Sequence, residues 1–464
     1  MPPKKTLNAR NLEALGAERL AELLIEISTG NAVAKRRLRL ELAGREGPAE
    51  VAREVRKRLA IIARSRSFVD WHNRQSLVDD LETQRRAIVD QVANHDPVEG
   101  LDLTWRFLEL ARSVYERCED GGAAAEDVFE RAANDLGGIA ESAKPNPTTL
   151  ADEVFRALFA NGYGHYDSLI HGLAAPLGQR GLEHLKQRLQ SEVPGNNMIR
   201  RLALMRIADA QGDVDAWIAQ YDVAKRKIPQ IAAAIARRLL AADRVAEAWR
   251  VIDAAEPRSG GRDDWRRRGF EWENARIEVL EALGRPEEAQ QQRWACFERS
   301  LSAEHLRAYL NRLPDFDDLE AEERALDHAQ NFRSPLIALS FLVSWTTLDR
   351  ASSASQPAVD RAAELIVGQG ANLDGNNYEI LTASVAALSA RHPLAATLAL
   401  RAMIDFALTR GRSSRYKHAA RHLATCARLA SAIDDYRPFE SHAVYEARLR
   451  REHGRKSAFW GEVR

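Results

Sequence analysis

The chain has 464 residues, of which 45% are hydrophobic, and its 67 Lys and Arg residues balance 67 Asp and Glu residues to a formal net charge of zero. This balance excludes an overall field that would draw the protein to nucleic acid or to membranes. The three cysteines, Cys118, Cys296 and Cys426, lie far apart and form no CxxC pair, which argues against a disulfide framework or a zinc ribbon and indicates a reducing cytoplasm.

The first residues, Met1 to Asn8, are polar and lack the apolar core of a signal peptide. No apolar run approaches the ~20 residues that a membrane-spanning helix needs. We therefore expect a soluble, cytoplasmic protein without a membrane contact.

The N-terminal part of the chain predicts helices. Apolar residues at helical spacing predict one buried side for the first helices; they are Leu12, Leu15, Leu20, Leu23, Leu24 and Ile27. Farther on, residues 141–149 contain Pro145 and Pro147, and proline prevents either flanking helix from continuing. We place a domain boundary there, with an N-terminal helical region at 1–144 and a solenoid at 145–464. The alternative is one continuous helical array.

A helix-turn-helix pattern occurs three times between Leu202 and Phe297. Apolar residues recur every three or four positions on both sides of each break, and the breaks contain Gly212, Asp243 and Gly284. Equivalent alanines at positions 216, 248 and 289 are spaced 32 and 41 residues apart, which is the size of a tetratricopeptide-like unit. The sequence therefore predicts an all-α fold, an α-solenoid of degenerate tetratricopeptide-like repeats.

Three stretches carry a family resemblance: residues 161–167 (NGYGHYD), 414–423 (SRYKHAARHL) and 453–456 (HGRK). They resemble an uncharacterised family of bacterial helical-repeat proteins, a domain of unknown function. That family is similar in turn to the helical region that accompanies SWIM-type zinc fingers. The resemblance covers most of the chain and implies a helical-repeat architecture. The finger itself needs a CxCx(n)CxH ligand set that this sequence lacks, so no zinc or nucleic-acid role follows from it.

One group of residues has the composition of a metal site. His418, His422 and Cys426 are spaced four apart on one predicted helix, so two of them could bind one zinc ion. At 3.6 residues per turn, side chains four residues apart differ in direction around the helix axis by about 40°, so it is difficult for all three to bind one ion. Another ligand would have to come from His442 or His453. The alternative is that the three are packing residues with Cys426 a small hydrophobic one. We predict no metal and no cofactor, with these three as candidates.

Catalysis has one weak candidate, His165, beside Tyr163, Tyr166 and Asp167. A catalytic histidine needs an orienting partner and a substrate pocket, and the sequence indicates neither. The sequence also contains no GxSxG, P-loop or HExxH motif and no GxGxxG in a strand context. We therefore predict that the protein is not an enzyme.

Three clusters are locally basic: Arg53 to Arg66, Arg262 to Arg268 with Trp265 inside it, and Arg410 to Lys456. Arginines near exposed aromatic residues could hold phosphates and stack on bases. Neighbouring acidic residues compensate these charges, and mixed charge on a helix is usually a solvated face. The candidate partner-binding residues are Tyr163, His165, Tyr166, Trp265, Arg415, Tyr416, Arg455 and Lys456.

Stacked helix pairs present a long concave surface that accepts a peptide or a helix of another protein. Our first functional hypothesis is therefore a non-enzymatic protein-interaction scaffold, which predicts exposed polar and aromatic residues along its helices. The second is a nucleic-acid-associated helical protein that uses the arginine-rich faces. The third is a metal protein or an enzyme. Trp217 and Trp249 occupy equivalent repeat positions, and we expect both in the core.

Overall fold

The structure, a computed structural model, describes residues 7–119, 123–160, 166, 168–192, 198–255, 270–347 and 356–463. Throughout these ranges the regular elements are helices, and extended pairing is limited to an isolated parallel bridge between Val69 and Cys118. None of the described helices is both long and apolar enough to cross a bilayer. The predicted all-α class is confirmed.

The chain divides into two compact units, Met1–Arg226 and Lys227–Arg464. The helices of the first unit are Ala9–Glu13, Ala17–Ser28, Ala32–Glu46, Pro48–Arg64, Arg74–Arg86, the π-helical Ala87–Ala93, Pro97–Leu108, Leu110–Tyr115, Ala123–Ala143, Pro147–Ala160, Leu169–Gly172, Ala174–Ser191, Met198–Gln211 and Val214–Ile218. The helices of the second unit are Pro229–Ala241, Val245–Ala254, Glu271–Ala282, Pro286–Ser300, Ala303–Leu310, Asp317–Gln330, Pro335–Thr347, Gln356–Gln369, Tyr378–Leu388, Pro393–Thr409, Tyr416–Leu429, His442–His453 and Ser457–Trp460.

The first unit has one apolar core that extends from Leu40 to Ile207. Helix Ala174–Ser191 packs against Pro147–Ala160, and it also contacts Ala123–Ala143 on the other side of the proline-containing segment. That segment is a tight turn, in which Lys144 has a φ of +49°. The boundary predicted between residues 144 and 145 thus falls inside one compact unit, because helices on both sides of the turn share a core.

Of the apolar residues predicted on the buried side of the first helices, Leu12, Leu20 and Leu23 are half-buried and the others are exposed. Leu15 and Leu24 are each 48% exposed, and Ile27 is 69% exposed. Helix Ala17–Ser28 packs mainly against Ala32–Glu46, which covers little of its circumference. The helical spacing of apolar residues correctly predicted an amphipathic helix. It could not show which other helix would pack against the apolar face of that helix.

Four turns between paired helices share one geometry. A residue one or two positions after the first helix has a positive φ, at Gly212 (+66°), Asp243 (+58°), Gly284 (+71°) and Gly411 (+61°). In each turn the backbone N–H of the residue after the positive-φ residue donates to the carbonyl oxygen five residues earlier. The N···O distances are 2.9 Å for Asp213 to Ala208, 2.8 Å for Arg244 to Leu239, 2.9 Å for Arg285 to Leu280 and 2.9 Å for Arg412 to Ala407. This is the Schellman arrangement, which favours glycine because a Cβ is strained at positive φ. The three predicted breaks are therefore confirmed as turns.

The second unit is built from stacked helix pairs. Helix Asp317–Gln330 packs against Pro335–Thr347 and Gln356–Gln369, and Gln356–Gln369 packs in turn against Pro393–Thr409. Contacts of each helix with the next helix and the one after it are typical of a solenoid. The repeat alanines Ala248 and Ala289 are fully buried, so the small side chain lets neighbouring helices approach closely.

Candidate functional site

The repeat tryptophans differ in burial. Trp217 is 3% exposed, as expected of a core residue, whereas Trp249 and Trp294 are only half-buried. An arginine guanidinium group lies close to each half-buried ring. The guanidinium carbons lie 4.7 Å from the Trp249 ring for Arg285 and 4.1 Å from the Trp294 ring for Arg324. The expectation that Trp249 belongs to the core is therefore only partly correct.

Trp294 is the centre of a compact aromatic group. The Tyr309 ring centroid lies 5.2 Å from that of Trp294, and the guanidinium carbon of the exposed Arg324 side chain lies 4.1 Å from the Trp294 ring. The Arg324 Nη2 atom donates to Tyr309 Oη at 3.4 Å, and no described carboxylate pairs with this arginine. We call Trp294, Tyr309 and Arg324 the Trp294 cluster. It combines apolar surface with an exposed positive charge that forms no direct ion pair with a described carboxylate.

A second feature of this unit is a cavity of about 500 Å³ beside helix Pro393–Thr409. Its apolar wall is formed by side chains that include Phe406, Phe439 and Tyr445. Its charged lining consists of Asp374, Arg401, Asp405, Arg410, Glu440 and Arg448. The positive and negative side chains balance in number.

The cavity carboxylate Asp405 lies in a hydrogen-bonded group. Tyr445 Oη donates to Asp405 Oδ1 at 3.0 Å, and Arg448 Nη2 lies 3.3 Å from Asp405 Oδ2. Burial raises the pKa of Asp405 above its usual range although Arg448 opposes the shift. Arg448 is shared with two further carboxylates, Glu440 at 3.0 Å and Glu452 at 3.4 Å. The charge of Arg448 is therefore compensated within the chain.

Three of the predicted partner-binding residues, Tyr163, His165 and Trp265, lie outside the described residues, as does Asp167. Tyr166 is 3% exposed, and burial raises the pKa of its phenol. A buried tyrosine seals helices and offers a partner little surface. The structure therefore gives Tyr166 a packing role.

The other predicted residues lie near the end of the second unit. Arg415 is half-buried, 4.9 Å from the Tyr378 ring, and donates to Asn376 Oδ1 at 3.3 Å. Tyr416 is 8% exposed and packs edge-on against Phe459, with Lys456 Nζ 5.9 Å from its ring. Arg455 is exposed. These contacts bring Tyr416 and Lys456 together, and both serve packing.

The candidate metal ligands do not converge. His418 is exposed, His422 is half-buried, and Cys426 is fully buried with its Sγ 4.0 Å from the carbonyl oxygen of Thr397. Burial lowers the pKa of His422. Across the described ranges, no three His, Cys, Asp or Glu side chains are grouped so that they could hold a metal ion. The drift of direction along the helix separates the three side chains.

We expect Cys426 to be chemically inert in the folded protein, because burial raises the pKa of its thiol to about 12. At pH ~8 its thiolate fraction, and hence its reaction rate, should be on the order of a thousandfold below that of an ordinary cysteine. Titration with a chromogenic disulfide should label Cys118 first in the native protein and all three thiols after denaturation. A Cys426→Ser variant should leave the native labelling unchanged, and rapid labelling of native Cys426 would contradict its burial.

Ion pairs compensate Arg53, Arg56, Lys57 and Arg58 of the first predicted basic cluster. Within Arg53 to Arg66, the Arg56 guanidinium lies 2.6 Å from a carboxylate oxygen of Glu99 and 2.7 Å from one of Asp102. The Lys57 ammonium lies 2.6 Å from a carboxylate oxygen of Glu54. Arg58 pairs with the buried Asp80. The second cluster lies outside the described residues, and in the third Arg448 and Arg450 pair with acidic residues. Of the described basic residues in these clusters, many are therefore already compensated.

Our sequence analysis missed Arg401, which is 5% exposed in the cavity wall. The signal was present: Arg401 interrupts the run from Ala395 to Ile404, in which the flanking positions are apolar. An arginine in a fully buried stretch is unusual unless its charge is paired. The groups that would surround Arg401 could not be identified from the sequence, because they lie on segments distant from it in the chain.

Comparison with known proteins gives a family without a function. The model of a family of unknown function (DUF6880) matches residues 2–198 and 195–462. None of the curated proteins matches the chain. Among solved structures, a "Circular tandem repeat protein with novel repeat topology and enhanced subunit contact surfaces" is 15% identical and is covered to 95%, with 96% of this chain covered. Its TM-score of 0.17 is too low to carry an argument.

Proposed function

Since the chain belongs to DUF6880, a family of unknown function, its role has to be inferred from its own surfaces, and we propose that it is a non-enzymatic scaffold that binds a partner protein. The Trp294 cluster carries this proposal. Tryptophan, tyrosine and arginine are the residues most enriched among those that dominate binding energy at protein interfaces. Here the three lie together on three helices, Pro286–Ser300, Ala303–Leu310 and Asp317–Gln330, and Arg324 is exposed.

The partner that fits this cluster is an acidic segment with an apolar side chain. Arg324 pairs with no described carboxylate, so a carboxylate of the partner could pair with it without displacing an existing ion pair. The half-buried rings of Trp294 and Tyr309 offer the apolar surface beside it. Nearby rings repeat the pattern, since Arg307 covers Trp345 with its guanidinium carbon 5.6 Å from the ring.

Peptide display tests this proposal. We expect the purified full-length chain to select, from random displayed peptides, sequences that place Asp or Glu beside an aromatic or aliphatic residue. A Trp294→Ala or Arg324→Gln variant should bind the selected peptides at least about tenfold more weakly, because each removes an anchoring side chain. The matched control is Trp71→Ala, since this ring is 62% exposed in the first unit. Undiminished binding by both cluster variants, or selection of no peptides, would overturn the proposal.

The nucleic-acid alternative has weaker support, because Arg53, Arg56, Lys57 and Arg58 of its first basic cluster are already ion-paired. Adding single-stranded homopolymeric DNA and RNA to the same assay tests it. Nucleic-acid binding that depends on Arg324 and excludes the selected peptides would replace the scaffold proposal. A cytoplasmic location, a bacterial source and the similarity to SWIM-associated helices remain predictions from the sequence.

A further inference from the structure

The cavity beside helix Pro393–Thr409 contains a buried guanidinium group that forms no ion pair with a described carboxylate. Arg401 is 5% exposed and lines this cavity. Its Nη1 atom donates to the backbone oxygen of Glu440 at 2.7 Å, and its guanidinium carbon lies 4.4 Å from the Tyr445 ring. Its Nε and Nη2 atoms are buried and have no hydrogen-bond partner. An unpaired buried donor is costly, and a charged one more so.

The two unpartnered atoms form one edge of the guanidinium group, the edge that binds both oxygens of a carboxylate. The same edge is occupied elsewhere in this molecule. Arg188 donates from Nε and Nη2 to the two oxygens of Glu192, each at 2.7 Å. Arg244 donates in the same way to Glu247, each at 2.8 Å. In Arg401 neither atom of this edge has a hydrogen-bond partner.

Other polar atoms near Arg401 also lack partners. They are Thr397 Oγ1, one turn earlier on the same helix, Tyr436 Oη and His442 Nδ1. The Tyr436 ring covers the guanidinium group at 5.5 Å and belongs to the segment between two helices, Tyr416–Leu429 and His442–His453. Native proteins satisfy nearly all buried polar groups, and a polar ligand at this place would offer partners to several of these atoms at once.

We propose that this cavity binds a ligand carrying a single carboxylate group, which pairs with the Nε and Nη2 edge of Arg401. The apolar part of the ligand packs on Phe406 and Phe439, and the Tyr436 ring moves aside as the carboxylate enters. A volume of about 500 Å³ suits a group of the size of one or two amino-acid residues. The carboxylate belongs either to the C-terminus of a peptide or to a small organic acid.

The lining charges explain why a monoanion fits better than phosphate. Arg448 is already shared by three carboxylates, whereas Arg401 is a buried cation of this lining with no carboxylate partner among the described residues. Asp405 and Glu440 line the same cavity and would repel a second negative charge. This site lies apart from the Trp294 cluster in sequence and chemistry, so either can fail without the other.

Calorimetric titration of the full-length chain tests the site with named probes: N-acetyl-alanyl-phenylalanine, its C-terminal amide, phenylpropanoate and inorganic phosphate. We expect a carboxylate probe to bind and the amide to bind at least about tenfold more weakly, because the amide cannot form the paired charged hydrogen bonds. Tighter binding of the peptide acid than of phenylpropanoate identifies a peptide C-terminus as the source. The reverse order identifies a free organic acid.

Variants at position 401 test the residue assignment. Arg401→Lys keeps the charge but loses the planar edge, so affinity should fall about tenfold or more, and Arg401→Met should abolish binding. The matched control Arg437→Gln removes an 88%-exposed arginine side chain from the adjoining segment and should change nothing. In the wild-type protein the NMR resonance of Arg401 Nε–H should shift with the acid and not with the amide, which needs no variant to fold. Equal binding of acid and amide, stronger binding of phosphate, an unshifted resonance or wild-type affinity in Arg401→Lys would each overturn the proposal.

Discussion

Replacing Phe297 by alanine is expected to lower the free energy of unfolding of the second unit by about 3–5 kcal/mol. The Phe297 side chain is fully buried. Its ring centroid lies 5.4 Å from that of Trp294 and 5.5 Å from that of Phe341, so the ring joins helix Pro286–Ser300 to Pro335–Thr347. Truncation leaves a cavity between helices that are held on both sides and cannot collapse to fill it.

Hydrogen exchange with mass spectrometry in urea can follow the two units separately. In the Phe297→Ala variant, peptides of the first unit should keep their protection from hydrogen exchange. Peptides of the second unit should lose this protection at a lower urea concentration than in the wild-type protein. Phe316→Ala is the matched control, because this side chain is 81% exposed and its removal should change stability by no more than about 0.5 kcal/mol. If the two substitutions changed the free energy of unfolding equally, the close packing of Phe297 between these helices would be refuted.

Replacing Gly375 by alanine should destabilise the second unit by about 3 kcal/mol. A Cβ at this buried position would lie 1.9 Å from the backbone oxygen of Ala402 and 2.8 Å from Phe406 Cβ. The turn that contains Gly375 must therefore move away from helix Pro393–Thr409, which opens the wall of the Arg401 cavity. Urea unfolding followed by hydrogen exchange in peptides of residues 378–409 measures the effect.

Gly368→Ala is the control for Gly375→Ala. Gly368 is exposed near the end of helix Gln356–Gln369, and a Cβ there meets no atom within 4 Å. Alanine in a helix should leave stability unchanged or raise it by up to about 1 kcal/mol. If both glycine variants retained wild-type stability, the close approach of the Gly375 turn to the helix would be refuted.

The helix pairs were predictable because their signals are local. Apolar spacing and the residues at Gly212, Asp243 and Gly284 predicted helices and turns that the structure contains. Each signal depends on a few adjacent residues whose conformational preferences hold wherever the segment lies in the fold. The spacing of the repeat alanines was informative for the same reason.

The candidate sites were less predictable because they depend on residues that are distant in sequence. Trp217 and Trp249 look equivalent in the sequence, but the coverage of the Trp249 ring is set by Arg276 and Arg285 from the next helix pair. The unpartnered edge of Arg401 depends on a segment some forty residues later, where Glu440 binds only its Nη1 atom. Charge clusters in sequence likewise did not show that Arg58 pairs with a buried aspartate, Asp80.

The Schellman turns have a consequence for how the protein folds. Each turn closes through a hydrogen bond between residues five apart, so a helix pair is defined by contacts that are near in sequence. Proteins dominated by such contacts have low contact order and fold quickly, since little chain entropy is lost before native contacts form. Folding of each unit can then nucleate in any helix pair and spread to its neighbours, and unfolding begins at the terminal pairs. A lesion such as Phe297→Ala should therefore divide the second unit into segments that lose structure at different denaturant concentrations.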